Sequence, residues 1–567
     1  MVDGADEAKS EGGYLESVFD RRSVLKGAAA IGIAAGSLPA FAKRGAAPAK
    51  VSARESGTKL WDGQQVLEPY GLSFEGTPKR GGSLDWAWLY EPIPQLDPQL
   101  PTNASVGDID TFLWIYDQLT NMQPGLTNTV GLAESWEIAK GGLEYTFTLR
   151  DSEFSNGDPV TANDVKFSLE RFANSKINSQ YSFLNAIDTV EALNAKTVRV
   201  NLQYVQAMFL QVVGHGVSSI IPQRVFEKDP KGFQTKPIGS GAFMLESKTP
   251  GESISFKRNP NYWKNPKPWI DGFTLNYVPD ENARMLQVTS GQADIGYSVP
   301  YALVDQYKNV KGTRLQMEPY TNVIFAAPNI RVKPLNESNV RLALNFATPR
   351  EAINQVVFKG APVLANSAIG QLQYWDAKIP YIPYDLDKAK SLMAKSTVPK
   401  GFTTTLLIVG SDADSVSVAT ILQSAWSDIG VKLNIEDVDL NTMFARFFST
   451  TNPDYEICFF QPDYSSSDVG DSDELAQFFY EPLTVDFGGY FYNDKNAATM
   501  TNEAIHSLNE ALRKKLFVEL QSYCTIVDPC IIPIAFGPAR TLVSSKVQGL
   551  QTLLNNSYRL EDVWINS

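Results

Sequence analysis

The side chains that most often carry catalysis or bind metal ions are scarce in this chain of 567 residues. The histidines are His215 and His506, and the cysteines are Cys458, Cys524 and Cys530. A nucleophile–histidine–acid triad would have to use one of these two histidines, and the cysteines lack the paired spacing of zinc ligands. The sequence contains no HExxH, GxSxG, GxGxxG or GxxxxGK[ST] motif. It therefore predicts no enzyme, no metal site and no cofactor.

Two adjacent arginines, Arg21 and Arg22, precede an uncharged apolar segment over residues 27–38. This segment is shorter than the roughly 20 apolar residues of a membrane-spanning helix. The sequence AFA at residues 40–42 then supplies the small-x-small pattern of a signal-peptidase site. We expect a twin-arginine signal peptide over residues 1–42 and a periplasmic product without a stable membrane anchor, because no cysteine lies near the cleavage site. The alternative is a cytoplasmic chain that begins with an alanine-rich helix.

The composition is that of an ordinary globular protein, with 43% hydrophobic and 20% charged residues. Its length is sufficient for two to four domains. The formal net charge of −13 disfavours nucleic acid and anionic membranes as partners. The aromatic content of 11% fits either a large core or a pocket that holds ligands against ring faces. Cys524 and Cys530, six residues apart, could close a small disulfide loop or remain buried thiols.

The hydrophobic pattern alternates between strand and helix periodicity along the chain. Residues 403–408 and 431–438 have strand patterns, and 455–460, apolar except for Glu456, is typical of a strand buried on both faces. Apolar residues at helical spacing from Ile505 to Leu520 predict one long helix. The pattern as a whole indicates an α/β fold, with lobes formed by a chain that passes back and forth between them.

Five segments occur in the order found in one known family. They are GLAESWEI (131–138), YTFTLRDSEFSNGDPVTANDVKFSLERF (145–172), PIGSGAFML (237–245), RNPNYW (258–263) and VRLALNFATPREAI (340–353). Together they resemble the family 5 extracellular solute-binding proteins of ABC importers, the peptide- and nickel-type binding proteins. The resemblance extends from about Lys79 to the carboxyl terminus, and Pro349 departs from the aspartate that the family usually has at that position.

The resemblance implies an α/β, two-lobed periplasmic binding protein fold with a hinge and an extra peripheral subdomain in lobe I. In chain order it implies a signal peptide at 1–42, an amino-terminal arm at 43–76, lobe I at 77–105, the peripheral subdomain at 106–205, lobe I again at 206–320, lobe II at 321–530 and lobe I at 531–567. The ligand would lie in the cleft between the lobes, and closure about the hinge would bury it.

The resemblance also implies ligand-binding residues in lobe II. In peptide-binding members, an aspartate that follows an aromatic residue binds the α-ammonium group of the ligand. The matching stretch FFQPDYSSSD places Phe460 at the aromatic position and Asp463 at the carboxylate, with Tyr464 beside it. Tyr374 and Trp375 match a loop that faces the cleft. The alternatives are that Asp463 caps a turn and that the two aromatic residues belong to the surface or the core.

Two further loops complete the implied site. In lobe I, the loop YEPIPQLDP would line the opposite wall through Tyr90 and Glu91. Dipeptide-binding members carry a carboxylate-binding arginine where this chain has GSDADS at 410–415, so Asp412 stands among the predicted ligand-binding residues. Acidic residues there would repel a ligand carboxylate, so a longer peptide or a cationic or neutral polar ligand fits better than a dipeptide. A bare nickel ion does not fit a chain with two histidines.

The function implied is that of a monomeric periplasmic component of an ABC importer, which captures a peptide or a related small polar solute and delivers it to the permease. One alternative is a sensor or chaperone module of the same fold. Another is a binder of a non-peptide solute such as an opine or an oligosaccharide. An enzyme of unrecognised type is a third, and it would show turnover of the bound ligand.

We expect the exported protein to begin at Lys43, because cleavage follows the AFA sequence. Replacing Arg21 and Arg22 together by lysine should block export although the charge is kept, since the route reads the arginine pair and not only its charge. Amino-terminal sequencing of the periplasmic protein checks both statements. A wild-type chain that starts at residue 1 in the cytosol would contradict them.

Overall fold

The three-dimensional structure is a computed structural model. It describes residues 49–51, 76–93, 95–100, 106–122, 128–174, 186–319, 321–370, 373–447, 454–460, 472–473, 494–553 and 555–566. The predicted signal peptide lies outside these residues, and so do Asp463 and Tyr464.

A mixed sheet, here called the first sheet, begins with the tryptophan-rich strand Ser83–Trp88. Leu84, Trp86 and Trp88 alternate along this strand, and all three are buried in the core. The strand pairs in parallel with Gly272–Tyr277 and with Ile295–Tyr297. In spatial order the strands of the first sheet are Thr313–Pro319, Pro538–Ser544, Ile295–Tyr297, Ser83–Trp88, Gly272–Tyr277, Ser253–Arg258 and Phe243–Thr249.

The second sheet contains the strands predicted in the carboxyl-terminal half. Thr403–Val409 pairs in parallel with Lys432–Val438 and with Ile457–Phe460, and the last strand is buried throughout, as its apolar run predicted. In spatial order the strands of the second sheet are Val363–Leu364, Ile532–Phe536, Ile324–Pro328, Ile457–Phe460, Thr403–Val409 and Lys432–Val438.

A third, antiparallel sheet, here called the peripheral sheet, lies in the chain between two strands of the first sheet, apart from its edge strand Ala49–Val51. In spatial order its strands are Ala49–Val51, Ala133–Ala139, Glu144–Leu149, Thr197–Leu202 and Ile187–Asn194. Helix Ala162–Phe172 packs on it, and its first turn is capped by Asp164, whose carboxylate accepts the Thr161 backbone N–H at 3.0 Å. Short two-stranded pairings join Thr120–Met122 to Asn128–Val130 and Val547–Gln548 to Trp564–Ile565.

Helices cover the faces of these sheets. The longer ones are Val106–Ile115, Ala162–Phe172, Glu281–Ser290, Ser338–Phe346, Arg350–Val356, Leu386–Ala394, Ala413–Ser427, Leu440–Phe447, Lys495–Ile505 and Glu510–Ser522, with a π-helical turn at Tyr523–Val527. Short helical turns occupy Phe209–Val212, Gly216–Ser218, Gln223–Lys228, Pro230–Phe233, Tyr301–Leu303 and Val304–Tyr307. Within the described ranges, every helix falls short of the length and apolar character that a bilayer crossing requires.

Two glycines of the PIGSGAFML segment allow a close backbone approach. Gly241 donates its N–H to the Ile115 carbonyl at 2.9 Å, at the end of helix Val106–Ile115. A Cβ atom on Gly239 would lie 2.0 Å from the same carbonyl oxygen, and one on Gly241 would lie 2.6 Å from the Trp114 oxygen. The entry into strand Phe243–Thr249 therefore requires residues without side chains, which explains the glycines at these positions.

Pro349, the departure from the family pattern, does not prevent the local helix. It directly precedes helix Arg350–Val356, and proline is tolerated at a helix start because the first N–H groups have no partner within the helix. Arg350 is fully buried and donates to the carbonyl oxygens of Pro533, Asn345 and Ile382 at 2.6, 2.8 and 3.0 Å. Its guanidinium thus joins this helix to strand Ile532–Phe536 of the second sheet.

The prediction of one long helix from Ile505 to Leu520 is wrong. The structure has helix Lys495–Ile505, a short link, and helix Glu510–Ser522. The break occurs because the Asn509 side chain accepts the Leu512 backbone N–H at 3.2 Å and caps the second helix. Leu508 consequently leaves the apolar face and is 46% exposed.

The three cysteines are all buried thiols in the structure. Cys458 lies in the second sheet, and Cys524 lies in the π-helical turn Tyr523–Val527. The Cys530 N–H donates to the Cys524 carbonyl at 3.2 Å. Of the two alternatives that the sequence left open, the structure shows the thiols.

Candidate functional site

The backbone connects the first and second sheets at two neighbouring points within the described residues. It leaves the first sheet at Pro319 and enters the second at Ile324. It returns from Phe536 through Gly537 to Pro538, so the second crossing lies beyond the boundary expected at residue 530. Gly537 donates its N–H to the Asn322 side-chain oxygen at 3.2 Å, which joins the two crossings directly.

Aromatic and charged side chains pack tightly around these crossings. The Arg540 guanidinium lies 3.7 Å from the ring centre of Tyr301, and this ring is also 4.9 Å from that of Phe358. A Cβ atom on Gly537 would lie 2.8 Å from the Tyr301 hydroxyl. Buried Glu318, next to the first crossing, accepts hydrogen bonds from Thr552, and burial raises the pKa of its carboxyl group. The crossings therefore form a dense junction between two lobes.

The predicted lobe I residues lie at the end of strand Ser83–Trp88. Tyr90 is half-buried, with its ring 5.6 Å from Trp88 and 6.1 Å from Tyr297. Glu91 is exposed. The rings of Trp88 and Tyr297 thus pack against Tyr90, and the neighbouring Glu91 carboxylate remains in solvent. Their contact with a ligand stays a prediction.

Tyr374 is more deeply buried than the sequence indicated. Its side chain has no exposed surface, and its ring stacks 4.9 Å from Phe517, nearly parallel. Its hydroxyl donates to Glu510 at 2.8 Å, and its φ of +69° places the backbone in the left-handed region. These contacts orient the loop, and ligand contact by Tyr374 itself stays a prediction.

Trp375 follows directly and is held by a different set of contacts. Its indole N–H donates to the Asn366 side-chain oxygen at 2.7 Å. Its ring meets Phe536, the residue before the second crossing, edge to face at 5.8 Å. This aromatic pair places the predicted ligand-binding loop beside the junction between the lobes.

Arg513 is the residue that sequence reasoning missed. It lies on helix Glu510–Ser522, is buried, and pairs through both terminal nitrogens with Asp473 at 2.9 and 3.0 Å. Its Nε donates to the Tyr374 hydroxyl at 3.0 Å. Arg513 therefore joins this helix, the loop of Tyr374 and the segment at 472–473. The signal available in the sequence was an arginine next to the leucines of an apolar helix face, since a buried arginine needs partners for its guanidinium group.

The segment predicted to bind the ligand ammonium starts at a rigid point. Phe460 is fully buried at the end of its strand and stacks on Phe325 at 4.8 Å. Asp463 and Tyr464 follow it and lie outside the described residues. Their roles stay predictions.

Asp412 lies at the amino terminus of helix Ala413–Ser427. Its carboxylate accepts the backbone N–H groups of Asp414 at 3.2 Å and Ser415 at 3.1 Å. An acidic cap is stabilised by the positive end of the helix dipole. This arrangement accounts for Asp412 without a ligand, and its place in the site stays a prediction.

A separate cavity of about 330 Å³ opens at the edge of the second sheet. Its lining includes Glu436, Arg446 and Asp454, and Arg446 pairs with Glu436 at 2.6 Å and Asp454 at 3.6 Å. Glu456 also lines the cavity, and its carboxylate accepts the Thr405 backbone N–H at 2.7 Å, so these charged groups already have partners within the protein. Elsewhere too, the described part of the chain shows no group of three or more His, Cys, Asp or Glu residues that could hold a metal ion.

Comparison with known proteins identifies a family and individual proteins that are similar to this chain. A family model described as "Bacterial extracellular solute-binding proteins, family 5 Middle" matches residues 129–483. The glutathione-binding protein GsiB of Escherichia coli O6:K15:H31 is 26% identical over 441 residues, which cover 76% of this chain and 85% of that protein.

Solved structures show the same two-lobed fold. The periplasmic binding protein DppA of Helicobacter pylori, in complex with the peptide STSA, matches with a TM-score of 0.76 at 23% identity and covers 86% of this chain and 99% of its own. The binding protein AgaA of A. tumefacien R10, in complex with agropinic acid, matches with a TM-score of 0.75 at 25% identity over the same shares of the two chains.

Replacing Asp473 by asparagine should destabilise the protein by about 3–5 kcal/mol, because the buried Arg513 charge then loses its carboxylate partner. Lys515→Ala on the same helix is the control, since the Lys515–Glu519 pair is partly exposed at 3.9 Å and should contribute less than about 1 kcal/mol. Chemical denaturation measures both. Equal small losses in the two variants would show that the Arg513–Asp473 pair does not hold this region together.

Proposed function

The chain belongs to the bacterial extracellular solute-binding proteins of family 5, and from this membership we propose that it captures a peptide or a related small polar solute between its two lobes and delivers it to the permease of an ABC importer. The observation that carries the proposal is the pair of adjacent crossings at Pro319–Ile324 and Gly537. Two short neighbouring connections permit one lobe to rotate against the other and to close over a ligand.

The character of the site supports a ligand with polar or cationic groups. In this proposal Tyr90 of the first lobe and Trp375 of the second contact the ligand, and their rings pack on Trp88 and Phe536 respectively. The acidic residues Glu91 and Asp463 complement an ammonium group, and Asp412 stands where dipeptide-binding members carry an arginine. A ligand carboxylate finds no cation at that position, so we favour a longer peptide or a cationic or neutral solute over a dipeptide.

The relatives differ in the solutes that they are named for. GsiB is named for glutathione, the DppA structure contains the peptide STSA, and the AgaA structure contains agropinic acid. These three molecules span a tripeptide, a longer peptide and a non-peptide solute. They therefore form a suitable first panel for this chain.

The remaining parts of the proposal concern location and partners. The chain acts as a monomer outside the cytoplasmic membrane, where it was exported by the twin-arginine route indicated by Arg21 and Arg22. It binds its solute without chemical conversion and docks on the permease subunits. The chain would use neither cofactor nor nucleic acid.

We expect at least one molecule of the panel to raise the free energy of unfolding of the mature protein, since a ligand that binds the folded state stabilises it by mass action. At a concentration one hundred times the dissociation constant the gain is about 2.7 kcal/mol. Thermal unfolding and calorimetry measure the gain and the affinity. Mass spectrometry of molecules released from denatured native protein extends the panel when the solute is a different one.

Asp463→Asn is the informative variant, with Asp428→Asn as the matched control at an exposed position of the second lobe. If Asp463 binds an ammonium group, its variant should lose about 2–5 kcal/mol of binding, mainly through faster dissociation, and keep its stability without ligand. The control should bind as the wild type does. Normal binding by Asp463→Asn with lower stability would identify Asp463 as a turn cap.

A further inference from the structure

The break between helices Lys495–Ile505 and Glu510–Ser522 lies against a segment that follows the peripheral sheet. The Ala207 backbone N–H donates to the Ile505 carbonyl at 3.0 Å. That carbonyl belongs to the last residue of its helix, where carbonyl oxygens have no partner within the helix. The hydrogen bond therefore satisfies a helix end with a donor from a distant part of the chain.

Two side chains next to this hydrogen bond meet ring to ring. The centres of Tyr204 and His506 are 5.1 Å apart, with their planes at 75°. This edge-to-face geometry is a favourable arrangement for aromatic pairs. Burial lowers the pKa of His506, so the ring is neutral at physiological pH, which suits contact with an aromatic neighbour.

Leu508 completes the contact on the other side of the break. Gly142 lies in the turn between strands Ala133–Ala139 and Glu144–Leu149 of the peripheral sheet and is nevertheless buried. A Cβ atom on Gly142 would lie 2.7 Å from Leu508 Cδ1 and 3.4 Å from Val205 Cγ1. Leu508, which lies in the link between the two helices, thus packs on a turn of the peripheral sheet.

The two sides of this contact belong to different lobes. The strands of the peripheral sheet from Ala133–Ala139 to Thr197–Leu202 lie in the chain between Ser83–Trp88 and Phe243–Thr249 of the first sheet. The helices on either side of the break pack beneath the second sheet, where Phe517 and Leu520 share a core cluster with Phe460. Rotation about the crossings would separate the two sides.

We propose that this interlobe contact, formed by Gly142, Tyr204, Val205 and Ala207 on one side and Ile505, His506 and Leu508 on the other, is a latch that stabilises the closed arrangement of the lobes. The proposal rests on the proposed function, because a closed arrangement matters for a protein that encloses a ligand. The latch lowers the free energy of the closed arrangement, so the ligand has to contribute less binding free energy to close the lobes. It therefore sets the fraction of protein that is competent to hold ligand, and the apparent affinity follows that fraction.

The test uses the double variant Tyr204→Ala, Leu508→Ala in the mature protein. Both residues are partly exposed, at 37% and 46%, so the variant should fold normally, which circular dichroism confirms. Leu286→Ala is the control, because this leucine is 66% exposed on helix Glu281–Ser290 of the first lobe. Spin labels at Leu193→Cys and Lys495→Cys report the distance between the peripheral sheet and the second lobe, and the three native cysteines are buried.

Without ligand, the double variant should shift the distance distribution towards longer distances than those of the wild type and the control. An unchanged distribution would overturn the latch. This measurement needs no ligand, so it tests the latch even if no molecule of the panel binds. Failure of the whole panel to bind would count against the proposed ligand class and not against the latch.

With glutathione, the peptide STSA or agropinic acid as probe, whichever binds the wild type, the double variant should raise the dissociation constant about threefold to tenfold. The change should appear mainly as faster dissociation, since the latch acts after the lobes meet. An unchanged dissociation constant in a folded variant would also overturn the proposal.

Discussion

Two neighbouring backbone crossings constrain how the two lobes of this protein can move. The first runs from Pro319 to Ile324, the second passes through Gly537, and the Asn322 side chain binds one to the other. Sliding or twisting of the lobes would break the contacts of Tyr301 with Arg540 and Phe358, whereas rotation about an axis through both crossings requires only a few backbone torsions to change. Binding by closure follows from this connection.

Buried contacts fix the aromatic side chains Tyr374 and Trp375 near the candidate site. Trp375 contacts Phe536 beside the second crossing, and Tyr374 is fixed by Phe517, Glu510 and Arg513. Side chains that are already fixed in this way lose little conformational entropy if they contact a ligand. The conformational entropy of these side chains is lost on folding, and buried contacts such as that of Arg513 with Asp473 offset this loss.

Local patterns predicted much of the fold. Apolar runs predicted the strands Thr403–Val409 and Ile457–Phe460 almost to the residue, because a strand covered on both faces is mostly apolar. Alternation of apolar and polar residues predicted Lys432–Val438. The break before helix Glu510–Ser522 escaped prediction, since the leucine stripe continues through it and the deciding contact is the Asn509 cap. The bidentate pair of Arg513 also could not be foreseen, because its partner Asp473 is remote in sequence. Long-range polar contacts have no periodic signature.

The central claim is that a solute bound between the lobes draws them together. Small-angle X-ray scattering tests it most directly, on protein first depleted of solute by unfolding and refolding and then supplied with the small molecules released from the native protein. We expect the radius of gyration to fall when the solute is added back, because rotation about the crossings closes the lobes. A radius of gyration that stays constant while calorimetry registers binding would contradict the claim.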